Sequence, residues 1–125
     1  MAKCYGTELI LDLRNCNPDK MNRRDVGLFY DRLCLLIDMT PTVRKFDHWE
    51  STPKKDWPKE SHLLGVSAVQ FIVTSSITIH ALWKLKNVYI NIFSCKKFNV
   101  EKTKKFASEY FEGEIIQALS IERLL

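Results

Sequence analysis

The sequence predicts an α+β fold, a two-layer sandwich in which a mainly antiparallel sheet is covered on one face by two helices. Three observations predict it. Short β-branched runs with alternating polarity recur along the chain. Only two segments, 25–39 and 100–111, place apolar residues at helical spacing. Their order is strand, helix, strands, helix, strand, which puts two helices on one side of one sheet. With 125 residues, 46% of them hydrophobic, the chain suits one domain over residues 1–125.

Each element follows from local chemistry. Thr7–Leu13, TELILDL, alternates and reads as a strand. Residues 15–22 are polar and contain Pro18, a loop. Asn22 with Asp25 three residues on is a helix N-cap signal, and Asp25–Met39 then carries Val26, Phe29, Leu33, Leu36 and Ile37 on one face. Thr40-Pro41 is expected to end that helix. Thr42–Trp49 reads as a strand. Residues 50–62, ESTPKKDWPKESH, hold two prolines and six charges and make a loop or flap. Gly65–Thr74, Ser76–Leu85 and Val88–Ser94 are three closely spaced strands. Val100–Phe111 is the second helix, anchored by Val100, Phe106, Tyr110 and Phe111, with Gly113 suited to its C-cap. Glu114–Ile121 is expected to be a short last strand.

Composition narrows the function classes. The net charge of +4 is modest and the lysine clusters are short, which argues against nucleic acid as the partner. No run approaches the roughly 20 apolar residues of a membrane span, and the N-terminus is unlike a secretion signal. A cytoplasmic protein is expected. Cys4, Cys16, Cys34 and Cys95 form no CxxC pair, so neither a disulfide framework nor a metal site is expected. There is no glycine-rich phosphate loop and no HExxH or GxSxG motif.

The stretch FIVTSSITIH, residues 71–80, breaks an apolar run with two serines and ends in His80. A serine at a strand end can attack the carbonyl before it. That gives an ester, then chain cleavage by β-elimination, and finally a pyruvoyl group. This chemistry needs a hydroxyl nucleophile, a strained peptide bond and a base. Ser75 and Ser76 are candidate nucleophiles and His80 the candidate base. Ser67 could support them from the neighbouring strand, and Cys95 ends the next one. Taken alone, a Ser-Ser pair is more often a turn satisfying its own backbone, and a lone cysteine is more often buried and inert.

GVSAVQFIVTSSITIHAL followed by VYINIFSC resembles the core of the prokaryotic S-adenosylmethionine decarboxylases. Ser67 falls on the serine of that family's GxSG-type strand, Ser75 on the pyruvoyl-forming serine, His80 on the processing histidine and Cys95 on the proton-donating cysteine. The resemblance implies self-cleavage at Thr74–Ser75, a covalent pyruvoyl cofactor made from Ser75 and Schiff-base decarboxylation of S-adenosylmethionine for spermidine biosynthesis. It also implies a homodimer with sites near the subunit interface. Ile77, Leu82 and Lys84 fall where substrate would be held. Ser76 replaces a histidine that usually follows the pyruvoyl serine, which leaves open whether Ser75 or Ser76 attacks. Lys84 stands where the family has an acid that binds the ribose hydroxyls, and a lysine cannot accept those hydrogen bonds. Trp83 is displaced by one residue from the family's tryptophan. A different amino acid substrate and an unprocessed, non-catalytic homologue therefore stand beside the first reading. All of these expectations assume that Ser75, His80 and Cys95 converge at one end of adjoining strands.

Overall fold

The computed structural model describes residues 2–125; Met1, the first residue of the expected domain, lies outside them. Six strands form one antiparallel sheet: β1 (Cys4–Arg14), β2 (Pro41–Asp47), β3 (Val66–Ile72), β4 (Ser75–Leu82), β5 (Asn87–Ser94) and β6 (Glu114–Leu124), in the spatial order β2-β3-β4-β5-β1-β6. Two helices, α1 (Arg23–Leu36) and α2 (Val100–Phe111), complete the fold. The predicted two-layer α+β sandwich is what forms.

Period-two patterning sets which sheet face is covered. Leu9, Leu11 and Leu13 of β1, Ile77, Ile79 and Ala81 of β4, and Val88, Ile90 and Ile92 of β5 are buried against the helices. Their neighbours in sequence, among them Glu8, Thr78, His80 and Tyr89, fall on the other face with Ser67 of β3, and no helix among the described residues covers it. Phe29 of α1 stacks on Phe106 of α2 at 5.3 Å between ring centres and meets Phe111 at 4.9 Å, closing the helical layer.

Caps explain where the helices begin. Asn22 accepts the Asp25 N–H at 2.8 Å, and Asn99 accepts the Lys102 N–H at 2.9 Å. The far ends differ from expectation. Helix α1 stops at Leu36 rather than running to Met39, because Asp38 turns left-handed (φ 56°) and the Met39 N–H closes onto the Cys34 carbonyl at 2.8 Å. Leu36, expected inside, is half-exposed beside that end. The left-handed cap of α2 is Glu112 (φ 53°), not Gly113. Gly113 is small for another reason: a Cβ there would overlap the Cys16 sulfur. Strand β6 is long rather than short, since it pairs along almost the whole of β1.

Candidate active site

One chemical centre is built by the β3–β4 hairpin and the bend after β5. Ile72 pairs with Ser75, leaving Val73 and Thr74 as the loop. Such tight loops need a left-handed residue and favour glycine or asparagine there. Thr74 takes that role with φ 53°. A β-branched side chain in this region stores on the order of 1–3 kcal/mol of strain.

Ser75, the first residue of β4, is buried on the helix-covered face, and its Oγ accepts the Cys95 N–H at 2.8 Å. The Cys95 sulfur lies 3.0 Å from the Thr74 hydroxyl and 3.6 Å from the Val73 carbonyl. Hydrogen bonding with Ser75 first, and with Thr74 second, holds the Cys95 thiol below its ordinary pKa. The bend that carries Cys95 is pinned on two sides. Lys96 donates to the Asp38 carbonyl at the end of α1, with the Asp38 carboxylate 3.5 Å away. Gly6 of β1 lets the bend come close, because a Cβ there would overlap the Ser94 carbonyl and lie 2.9 Å from the Cys95 Cα.

Two cavities flank this hairpin. One of about 200 Å³ is lined by Met39, Ile72, Ser75, Cys95 and Lys96. The other, about 650 Å³ and more open, is lined by Val43, Phe71, Thr74, Ser75, Ser76 and Phe93. The larger falls in the usual range for small-molecule sites.

A second centre stands elsewhere on the sheet. Ser67 and His80 are register partners on β3 and β4, and the Ser67 Oγ is 2.8 Å from His80 Nδ1. Both side chains lie on the uncovered face. They open into a cavity of about 340 Å³ shared with Asp47, Trp49, His62 and Leu82.

The expected convergence is therefore corrected. Ser75 and Cys95 come together, and so do Ser67 and His80, but the two pairs are separate within one chain. Ser75 and His80 are five residues apart on one strand, about 16 Å at the usual strand rise, and an odd separation puts them on opposite faces. Ser76 shares the uncovered face with His80 but is about 13 Å away by the same rise.

The substrate-binding candidates fare unequally. Ile77 is wholly buried in the core between β4 and the helices, so no ligand reaches it in this structure. Leu82 lines the His80 cavity. Lys84 is exposed in the turn between β4 and β5. Trp83, just beyond the end of β4, packs against the core and meets Trp57 at 5.6 Å. The charged stretch after β2 contributes more than sequence reasoning assigned to it. Trp49 donates to the Leu63 carbonyl at 2.9 Å and, with His62, enters the His80 cavity. Tryptophans flanking or inside a proline-rich charged segment were the available signal. Thr74 was also overlooked as a site residue; a β-branched residue in a tight hairpin loop was the clue.

Residues 7–124 match the family model described as S-adenosylmethionine decarboxylase. The chain belongs to the S-adenosylmethionine decarboxylase family. Among solved structures it is similar to the adenosylmethionine decarboxylase of Aquifex aeolicus, with a TM-score of 0.76 and 14% identity over 98% of this chain and 93% of that one. At that identity the likeness speaks for the fold. A search of curated proteins gave no match. Of the residues that depart from the resemblance, Ser76 and Lys84 lie outside the Ser75–Cys95 contact.

Proposed function

We propose that this protein is a pyruvoyl-dependent decarboxylase that cleaves itself between Thr74 and Ser75 and acts on S-adenosylmethionine. The observation that carries the reading is the hairpin: a strained, left-handed Thr74 directly precedes a serine whose Oγ is already held by the Cys95 amide. Strain at the bond to be broken and a fixed nucleophile are what an N-to-O acyl shift requires. Ser76 has neither, so Ser75 is the nucleophile.

The Ser75 hydroxyl adds to the Thr74 carbonyl carbon, and the C–N bond breaks as nitrogen takes the hydroxyl proton, leaving an ester. Loss of the Ser75 Cα proton expels Thr74 as a carboxylate and leaves dehydroalanine. Water then hydrolyses its imine tautomer, releasing ammonia and leaving pyruvoyl at residue 75. These residues fit the group: the small cavity and the larger open one both reach Ser75. Once formed, pyruvoyl supplies an electron-accepting carbonyl for loss of CO2. Cys95, beside residue 75 with a lowered thiol pKa, is the proton donor to the substrate carbon.

His80 and Ser67 assist processing, but from a second copy of the chain. The uncovered face carries Phe71, Tyr89, Leu119 and Ile121, each at least 37% exposed, which is apolar area suited to a partner. Packing two such faces in a homodimer brings the Ser67–His80 pair of one copy toward the hairpin of the other. A single chain, with about 16 Å between the two, gives His80 no access to Ser75.

Lys84 favours a second reading in which the substrate is another amino acid. Its ammonium stands exposed where a ribose-binding acid would be, so the nucleoside is not held there in the family's manner. Two measurements test the proposal. Intact mass should show fragments 1–74 and 75–125, the second blocked by pyruvoyl. S-adenosylmethionine labelled at its carboxyl carbon should release labelled CO2. Cleavage without release would move the proposal to the second reading, and an uncut mass would make the chain a non-catalytic relative.

A further inference from the structure

We propose that Thr74 is a positioning residue for Cys95, its hydroxyl donating to the sulfur and holding it beside residue 75. The contact itself is independent of catalysis; its use in proton donation rests on the decarboxylase reading. Thr74 has one hydroxyl proton and two acceptors within reach, the Val73 carbonyl at 2.8 Å and the Cys95 sulfur at 3.0 Å. Cys95 in turn has one carbonyl to which its S–H can point, that of Val73 at 3.6 Å. The two groups therefore trade partners with the state of the sulfur. A protonated thiol offers its hydrogen to Val73. A thiolate is an acceptor only, and the Thr74 hydroxyl turns to it.

Charge around the sulfur comes from two groups. Lys96 follows Cys95 directly, and Asp38 at the end of α1 engages the Lys96 ammonium. With Lys96 partly neutralised in this way, hydroxyl donation, from Ser75 first and Thr74 second, is left as a main means of favouring thiolate, and the Ser75 hydroxyl is the one that cleavage consumes. A donor whose affinity for the proton lies near working pH both gives it up and regains it within a cycle, which is what repeated protonation of a substrate carbon needs. The sequence position is unusual for such a task. After cleavage Thr74 is the last residue of the first fragment, so its hydroxyl contact also ties that new chain end to Cys95.

The test reads the thiol directly, by mass spectrometry of iodoacetamide labelling at Cys95 across pH. It is done in a His80→Ala background, in which cleavage is slowed, and the labelling is read only on chains that intact mass of the same samples shows to be uncut. Thr74→Val, which preserves shape and loses the hydroxyl, should move the labelling profile upward by about one pH unit. Thr74→Ala should move it the same way, and Thr74→Ser should leave it at the parent position. A Thr74→Val or Thr74→Ala profile superimposed on the parent, or a Thr74→Ser profile moved as far as either, overturns the proposal. If Thr74→Val does not fold, Thr74→Ala against Thr74→Ser decides alone. The decarboxylase reading fails separately, through an uncut native chain that releases no CO2 from any amino acid offered.

Discussion

The two chemical centres of this chain are built in different ways. Ser67 and His80 meet because regular antiparallel register places them opposite each other on the uncovered sheet face. Thr74, Ser75 and Cys95 meet because the chain leaves regularity: a tight hairpin with a left-handed threonine faces a bend that only Gly6 lets approach. The first centre costs the fold nothing beyond its register. The second holds backbone strain where the proposed reaction breaks the chain, a placement that makes sense only if strain is spent there.

The largest effect that separates the two centres is loss of the nucleophile. Ser75→Ala should abolish cleavage, giving only the intact mass, whereas Ser76→Ala should still cleave. If Ser76→Ala is the uncut variant instead, the hairpin geometry has been misjudged. His80→Ala should slow cleavage by about 10²-fold, the usual contribution of a positioned proton-transfer group. The proposed dimer adds a sharper expectation. Co-expressing His80→Ala with Ser75→Ala chains should restore cleavage of the His80→Ala copies, because each mixed dimer retains one complete pair of half-sites. Absence of rescue in dimers verified to be mixed would mean that the two centres do not cooperate across copies.

The two centres were not equally legible in the sequence. Periodicity located every strand and both helices, and Val100–Phe111 was legible to the residue because Asn99 caps it and its apolar spacing is clean. Helix α1 was overextended because nothing in Asp38 announces a left-handed turn, and Asn or Gly is the usual sign. Strand β6 was cut short because an edge strand exposed along its length shows little alternation. At the site, side-chain chemistry made Ser67, Ser75, Ser76, His80 and Cys95 candidates and the family resemblance gave four of them roles, but joining them into one cluster ignored a rule already available. Five residues along a strand is an odd number, so Ser75 and His80 could never share a face. Thr74 entered the sequence reading only as one side of the bond to be cleaved, because it was read as the end of a strand, Gly65–Thr74, and not as the β-branched residue of a tight hairpin loop.

A smaller effect probes the strain itself. Thr74→Gly should raise stability by about 1 kcal/mol, since glycine adopts φ 53° without penalty while giving back some chain entropy. The same variant should cleave several-fold more slowly, because part of the driving distortion is gone. Chemical denaturation of an uncut background measures the first and a time course of intact mass the second. A more stable variant that cleaves at the native rate would show that the strain belongs to the turn and not to the chemistry.

The smallest effect contrasts two thiols of the same chain. Cys95 is held below its ordinary pKa by its hydrogen bonds, whereas burial pushes Cys16 up from 9.0 to about 11, with the hydrogen bond to the Val88 backbone opposing the shift. Cys16 is only 2% exposed, packed in the core beside Gly113. The two contribute to pH-dependent stability with opposite sign. Between the lowered value of Cys95 and the ordinary value, the folded state has already released that proton, so stability from Cys95 grows as pH rises and is lost as pH falls. For Cys16 the neutral form is the one the fold accepts. Its contribution is intact below pH 9 and drains away between pH 9 and about 11, as the unfolded chain ionises first. Denaturation midpoints measured across that interval should fall less steeply for Cys16→Ala than for the native chain, even though Cys16→Ala starts lower at neutral pH by about 1–2 kcal/mol from the lost side-chain volume. Parallel curves for the two proteins would mean that the Cys16 thiolate finds water without unfolding, and that the core beside α2 opens locally.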